Sequence, residues 1–185
     1  MLEHFHWLDV GLTVFIFLRM SRKKILINEG DFGVKILFVC HGNICRSVMA
    51  ECVFAYLAEK AGLSDRFEVS SAATSTEEIG NPIYPPARRK LEEKGVPVRA
   101  HRARRMTAED CEAYDLLIGM DEANRRNMKR FARGDAEKKV RLLLDFTDAP
   151  GEVSDPWYTR DFERAYRDIL RGCEALLETL TQKNK

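Results

Sequence analysis

Val34-Lys35-Ile36-Leu37-Phe38-Val39 runs directly into Cys40-His41-Gly42-Asn43-Ile44-Cys45-Arg46-Ser47. The first six residues form a short, nearly continuous apolar run, the pattern of a strand buried on both faces of a parallel sheet. The next eight form a turn-like loop, after which apolar residues recur at Val48, Cys52, Ala55 and Tyr56 until Gly62, an amphipathic helix with a glycine stop. Strand, loop and helix in this order open a βαβ unit, and the rest of the chain continues the alternation. Phe67–Ser71 reads as a second strand, Pro85–Leu91 as a helix that stops at Gly95, and Leu116–Met120 as a third strand. Thr107 is placed as an N-cap, with acids in the first turn behind it. A helix is expected from Asp121 to about Phe131, and a fourth strand over Val140–Leu144. The last helix carries Phe162, Tyr166, Ile169, Cys173, Leu176 and Leu180 on one apolar stripe. The expectation is therefore a single α/β domain over residues 34–185, a four-stranded parallel sheet with helices on both faces. In such sheets ligands bind beyond the carboxyl ends of the strands.

The loop after the first strand is where that rule puts chemistry. Arg46, separated from Cys40 by five residues, supplies a planar fork for a phosphate-like oxyanion. Gly42 relaxes the backbone so that successive amides can face one concavity, and the helix beginning near Ser47 adds its positive end. A cysteine at the mouth of such an anion nest is expected to act as thiolate, the nucleophilic form. A lone buried cysteine usually only ends a strand. The Gly, Arg and Ser at these offsets favour the chemical reading. A thiolate attacking phosphorus needs an acid for the leaving oxygen. Asp155-Pro156-Trp157-Tyr158 offers one: Pro156 holds Asp155 extended, and the two aromatics can flank a flat ring.

Composition narrows the alternatives. Of 185 residues, 45% are hydrophobic and 32% charged, the profile of an ordinary globular domain. Thirty Lys and Arg against 29 Asp and Glu leave a net charge of +1, so nucleic acid is not an expected partner. The five cysteines are spread without a CxxC pair, a poor disulfide framework and a poor zinc site. They point to a reducing, cytoplasmic compartment. Asp31-Phe32-Gly33 spells a kinase magnesium motif, but no HRD stretch precedes it, and no GxxxxGK[ST] or GxGxxG occurs.

Residues 1–33 read as an N-terminal extension. Val10–Leu18 is apolar but about half the length of a transmembrane helix, and its flanks are wrong for a signal peptide. Three readings stand: an extension without part in activity, with Met20 as the start; an extra strand or helix packed on the domain; or a weak surface anchor using Arg22-Lys23-Lys24. Membrane association is not expected. His4 and His6 lack a third ligand for a metal.

Ile36–Ser47, then Met49-Ala50-Glu51, Gly119–Asn124 and Asp155-Pro156-Trp157 follow one another in the order seen in low-molecular-weight protein tyrosine phosphatases. The chain resembles that family over about residues 34–181, and Ser75–Pro82 is similar to its bacterial members. The resemblance implies hydrolysis of protein phosphotyrosine through a phosphocysteine on Cys40. Arg46 would bind the phosphate and Asp155 would act as general acid, then base. His41, Gly42, Asn43, Ile44, Cys45 and Ser47 would complete the phosphate-binding loop, and Ile44, Trp157 and Tyr158 would line the substrate pocket. Cys45 would protect Cys40 through a reversible disulfide, and Asp121 would support the loop. Phosphotyrosine proteins and oxyanions are the implied ligands, and no metal or organic cofactor is implied. Val48 stands where the family usually has proline, and Ala123 replaces a common serine. Of the related enzymes, a phosphoarginine phosphatase would carry threonine in place of Ile44 and lack the aromatic after Asp-Pro. A thiol-dependent arsenate reductase would need two further cysteines close together. A phosphopeptide-binding module would have lost Cys40 or Asp155.

Overall fold

The computed structural model describes residues 33–182, so the extension, its two histidines and its apolar stretch lie outside the described residues. Four parallel strands, β1 (Val34–Cys40), β2 (Phe67–Ala73), β3 (Leu116–Gly119) and β4 (Val140–Leu142), form one sheet in the order β2-β1-β3-β4. Between them run α1 (Arg46–Lys60), α2 (Pro85–Glu93), α3 (Ala108–Ala113) and α4 (Glu122–Met128). A single-turn α5 (Pro156–Thr159) and the long α6 (Phe162–Thr181) close the chain.

The alternation in β1 divides the core. Ile36 and Phe38 point into a large cluster with residues of α1, α2 and α6, while Leu37 and Val39 face a smaller one with Met106, Leu117 and Met128. All four β1 side chains are fully buried, which is why the run shows no polar alternation. Phe38, Phe54 and Phe67 stack in series at 5.9 and 5.2 Å between ring centroids. Burying each contributes about 1.5–3 kcal/mol. Helices thus cover both faces, and the carboxyl ends of β1 and β3 open onto the same edge.

Several expected boundaries shift: β2 runs past Ser71 to Ala73 and α2 past Leu91 to Glu93. The apolar run Val140–Leu144 is strand only to Leu142. The Asp145 carboxylate accepts the Leu142 N–H at 3.0 Å, and Leu143–Phe146 coil into a 3-10 turn. Leu143 then packs on Gly172 of α6, where an added Cβ would meet Leu143 Cγ at 2.5 Å. Gly172→Ala is therefore expected to destabilise the protein by about 1–3 kcal/mol, read as a lower urea midpoint at unchanged slope; an unchanged midpoint would mean that α6 shifts freely. α4 starts after Asp121 and ends at Met128, short of Phe131. Met120 lies just beyond β3, whose end is Gly119. Among the described residues, no helix is long and apolar enough to cross a membrane.

Candidate active site

The loop Cys40–Arg46 joins β1 to α1 and wraps a side-chain network. Cys40 is 3% exposed, and its Sγ receives the Asn43 backbone N–H at 3.3 Å and lies 3.0 Å from Ser47 Oγ. Asn43 Nδ2 donates to Ser47 Oγ at 3.0 Å, which leaves the Ser47 hydroxyl proton to face the sulfur. Two donors are thus aimed at one sulfur.

The expected role of Gly42 needs correction. Gly42 is not among the residues with positive φ; Asn43 is, at 58°. Gly42 is small because the Glu78 side chain lies over it, 3.1 Å from where a Cβ would stand. A left-handed non-glycine costs about 1 kcal/mol or more and must be held. Asn43 is held from four sides: Nδ2 donates to Ser47 and, at 2.8 Å, to Ser71; Oδ1 accepts the Arg104 N–H at 3.1 Å; and its carbonyl accepts from His101 Nε2 at 2.7 Å. Ser71 in turn donates to Glu51 at 2.7 Å, and Arg104 pairs with both oxygens of Asp110. Asp110 also closes the α3 capping box with Thr107, as its sequence pattern anticipates.

Arg46 is buried, with a side chain 4% exposed, and spans two carboxylates. Nη1 reaches Asp121 at 2.7 Å and Nη2 reaches Asp155 at 2.5 Å. Burial works against its charge, but Cys40, Asp155 and Asp121 together more than offset that and raise its affinity for the proton above the ordinary guanidinium value. Asp121 caps α4 by accepting the Asn124 N–H at 2.6 Å, so the β3 edge fixes its direction. Asp155 is extended, as Pro156 requires, and accepts the Trp157 N–H at 2.9 Å as the N-cap of α5.

Cys40, Arg46 and Asp155 line a pocket of about 140 Å³ that also takes in His41, Ile44, Cys45, Trp157 and Tyr158, while Asn43, Ser47 and Asp121 stand behind its wall. Asp155, 109 positions beyond Arg46, therefore meets Cys40 and Arg46 in one place with the expected aromatics at its mouth. Trp157 leans on Tyr84 at 5.5 Å, and Tyr84 on Phe162 at 6.1 Å. Cys45 shares the pocket, and burial first, then the negative charge of Cys40, pushes its thiol up to about 12 from 9.0. A thiol that holds its proton more tightly folded than unfolded contributes stability that is whole below about pH 9 and lost as pH rises toward 12. The urea midpoint should begin to fall near pH 9, and less steeply in Cys45→Ser; equal slopes would remove Cys45 as a source of the loss. Cys173 is fully buried on the α6 stripe, and Cys111 lies in the smaller cluster on the other face of the sheet, so neither reaches the pocket. All five cysteines are free, and among the described residues no group of three or more His, Cys, Asp or Glu could hold a metal.

Sequence reasoning missed Ser71 and His101 and gave no role to Glu51, quoted only within the resembling stretch; all three brace Asn43 from outside the loop, Glu51 through Ser71. Their only signal lies in tertiary contacts 28 and 58 residues away from Asn43 for Ser71 and His101.

Comparison with known proteins agrees with this geometry. Residues 35–185 match the family model described as low molecular weight phosphotyrosine protein phosphatase. The chain is 36% identical over 154 residues to the low molecular weight protein-tyrosine-phosphatase YfkJ of Bacillus subtilis, covering 82% of this chain and 98% of that protein. It is 39% identical over 148 residues to the low molecular weight phosphotyrosine protein phosphatase of Rattus norvegicus, covering 77% and 93%. The crystal structure of YfkJ superposes with a TM-score of 0.78 at 33% identity, covering 85% of this chain and all 100% of that one. A family match across most of the chain, on a fold whose loop, arginine and Asp-Pro segment converge, means that the chain belongs to the low molecular weight phosphotyrosine protein phosphatase family.

Proposed function

We propose that residues 34–185 form a phosphatase domain that hydrolyses phosphotyrosine in proteins through a phosphocysteine on Cys40. The observation that carries this reading is the bridge Arg46 makes between Asp121 and Asp155 beside the hydrogen-bonded sulfur of Cys40. The Cys40 thiolate attacks phosphorus in line, the P–S bond forms, and the bond to the phenolic oxygen breaks. Asp155 delivers the proton that the leaving phenolate takes. Arg46 and the loop amides hold the equatorial oxygens, whose charge grows in the transition state. Asp155, now a carboxylate, takes a proton from water as that water attacks the phosphocysteine, and the P–S bond breaks to return the thiolate.

Ile44, Trp157 and Tyr158 make an apolar slot suited to a phenol ring, which favours phosphotyrosine over phosphoarginine. Cys45 lines the same pocket as Cys40, which places it to resolve an oxidised Cys40: the Cys45 sulfur attacks sulfenic Cys40, its proton leaves with the sulfenic hydroxyl as water, and the disulfide is reopened by an external thiol. A reducing cytoplasm fits such a cycle.

Asp155→Asn should lower kcat by about 10²–10⁴-fold on esters of ordinary phenols and far less on esters of activated phenols. Equal losses on both would take Asp155 out of the acid's role. Rapid quenching of a phosphotyrosine peptide with the enzyme tests the intermediate itself. Phosphate found on Cys40 and absent from Cys40→Ser is the expected result; its absence during turnover would overturn the covalent route.

A further inference from the structure

The pocket that takes the phosphoryl group has a lopsided mouth. Among the described residues its one lining arginine or lysine is Arg46, which is buried and already paired with two carboxylates. Above it, Glu77 and Glu78 belong to the lining, on the loop that follows β2. Each has a partner within hydrogen-bond distance. Glu77 is 3.0 Å from His41 Nε2, with a side chain 70% exposed. The Glu78 stem lies across Gly42 and its carboxylate accepts from Asn81 at 2.7 Å. Arg160 stands over the Trp157 ring at 5.8 Å and lies outside the lining.

The mouth is also greasy. Among the described residues the exposed large hydrophobics are Ile79, Trp157 and Tyr158. Two of these line the pocket and the third follows Glu78 in sequence. A phosphotyrosine held at Cys40 spans the pocket with its ring, so the peptide on either side of it must cross this rim. The overall net charge of +1 supplies no long-range preference, and the local carboxylates decide.

Resting on the phosphotyrosine reading above, we infer that Glu77, with Glu78 beside it, makes this enzyme select phosphotyrosines flanked by basic side chains. The site is the one already described; what is added is a specificity-determining residue and the class of substrate it takes. An acidic neighbour in the peptide meets two carboxylates at the rim, and a basic one meets a carboxylate that is exposed.

Three phosphotyrosine peptides, identical except for Lys, Gln or Glu on both sides of the phosphotyrosine, test this with the full chain and with Glu77→Gln and Glu77→Lys. At low salt kcat/KM should rank Lys over Gln over Glu with a span of about tenfold, carried by KM. The span should shrink in high salt. Glu77→Gln should narrow it, and Glu77→Lys should reverse the order. Equal kcat/KM on all three peptides, or an order that Glu77→Lys leaves in place, would overturn the inference while the phosphatase reading stands. Release of phosphate from none of them would overturn both.

Discussion

Cys40→Ser is expected to abolish turnover, with kcat lower by about 10⁴-fold or more. A serine hydroxyl keeps its proton at neutral pH, and nothing in the loop removes it: Ser47 is itself a donor toward that position and Asn43 offers only N–H. The same two donors can bond the new hydroxyl oxygen, so the fold should survive the exchange. Circular dichroism and the urea midpoint of Cys40→Ser should therefore match wild type within about 1 kcal/mol. Inorganic phosphate should still bind, because Arg46 and the amides remain. An inactive, folded, phosphate-binding variant locates the chemistry at the sulfur. Turnover within tenfold of wild type would mean that another group attacks phosphorus.

Arg46→Lys should cost about 10²–10³-fold in kcat, far more than a conserved charge suggests. The guanidinium uses Nη1 for Asp121 and Nη2 for Asp155, two directions fixed by its plane. An ammonium is a single point on a flexible stem and cannot hold both carboxylates and an oxyanion in register. Asp121 and Asp155, both less than a quarter exposed, would then face each other with an incomplete bridge. The variant should accordingly also lose about 1–3 kcal/mol of stability. Losses in kcat and in the urea midpoint are measured on the same sample. A variant with wild-type kcat and only a raised KM would make Arg46 a binding group without a share in the transition state.

What was legible in the sequence was whatever is local. β1 is written as a run apolar at every position of Val34–Val39 but Lys35 because both of its faces are covered, and the spacing of Gly42, Arg46 and Ser47 after Cys40 fixes the loop and the helix start. The α6 stripe and the Thr107 cap are equally local. Long-range pairings were not legible in detail. Asp121 could be assigned a supporting part only through family resemblance, and its bond to Arg46 spans 75 positions. Ser71, Glu51 and His101 look like ordinary polar residues until the fold sets them around Asn43. The end of β4 was misjudged because Leu143 and Leu144 are as apolar as strand residues; their burial is against α6, in a turn set by Asp145. α5 carried a signal that was read only in part. Asp155 at the N-cap with Pro156 at N1 is a helix start, and the same geometry that extends Asp155 begins that turn.

Phosphate release from a phosphotyrosine peptide and a phosphoarginine peptide of the same sequence, side by side, with Cys40→Ser as the blank, tests the central claim most directly. Fast release from phosphotyrosine, little from phosphoarginine and none from the blank is the predicted result. Preferential release from phosphoarginine would contradict the reading of the Ile44, Trp157 and Tyr158 pocket, and release by Cys40→Ser would contradict the thiolate mechanism itself.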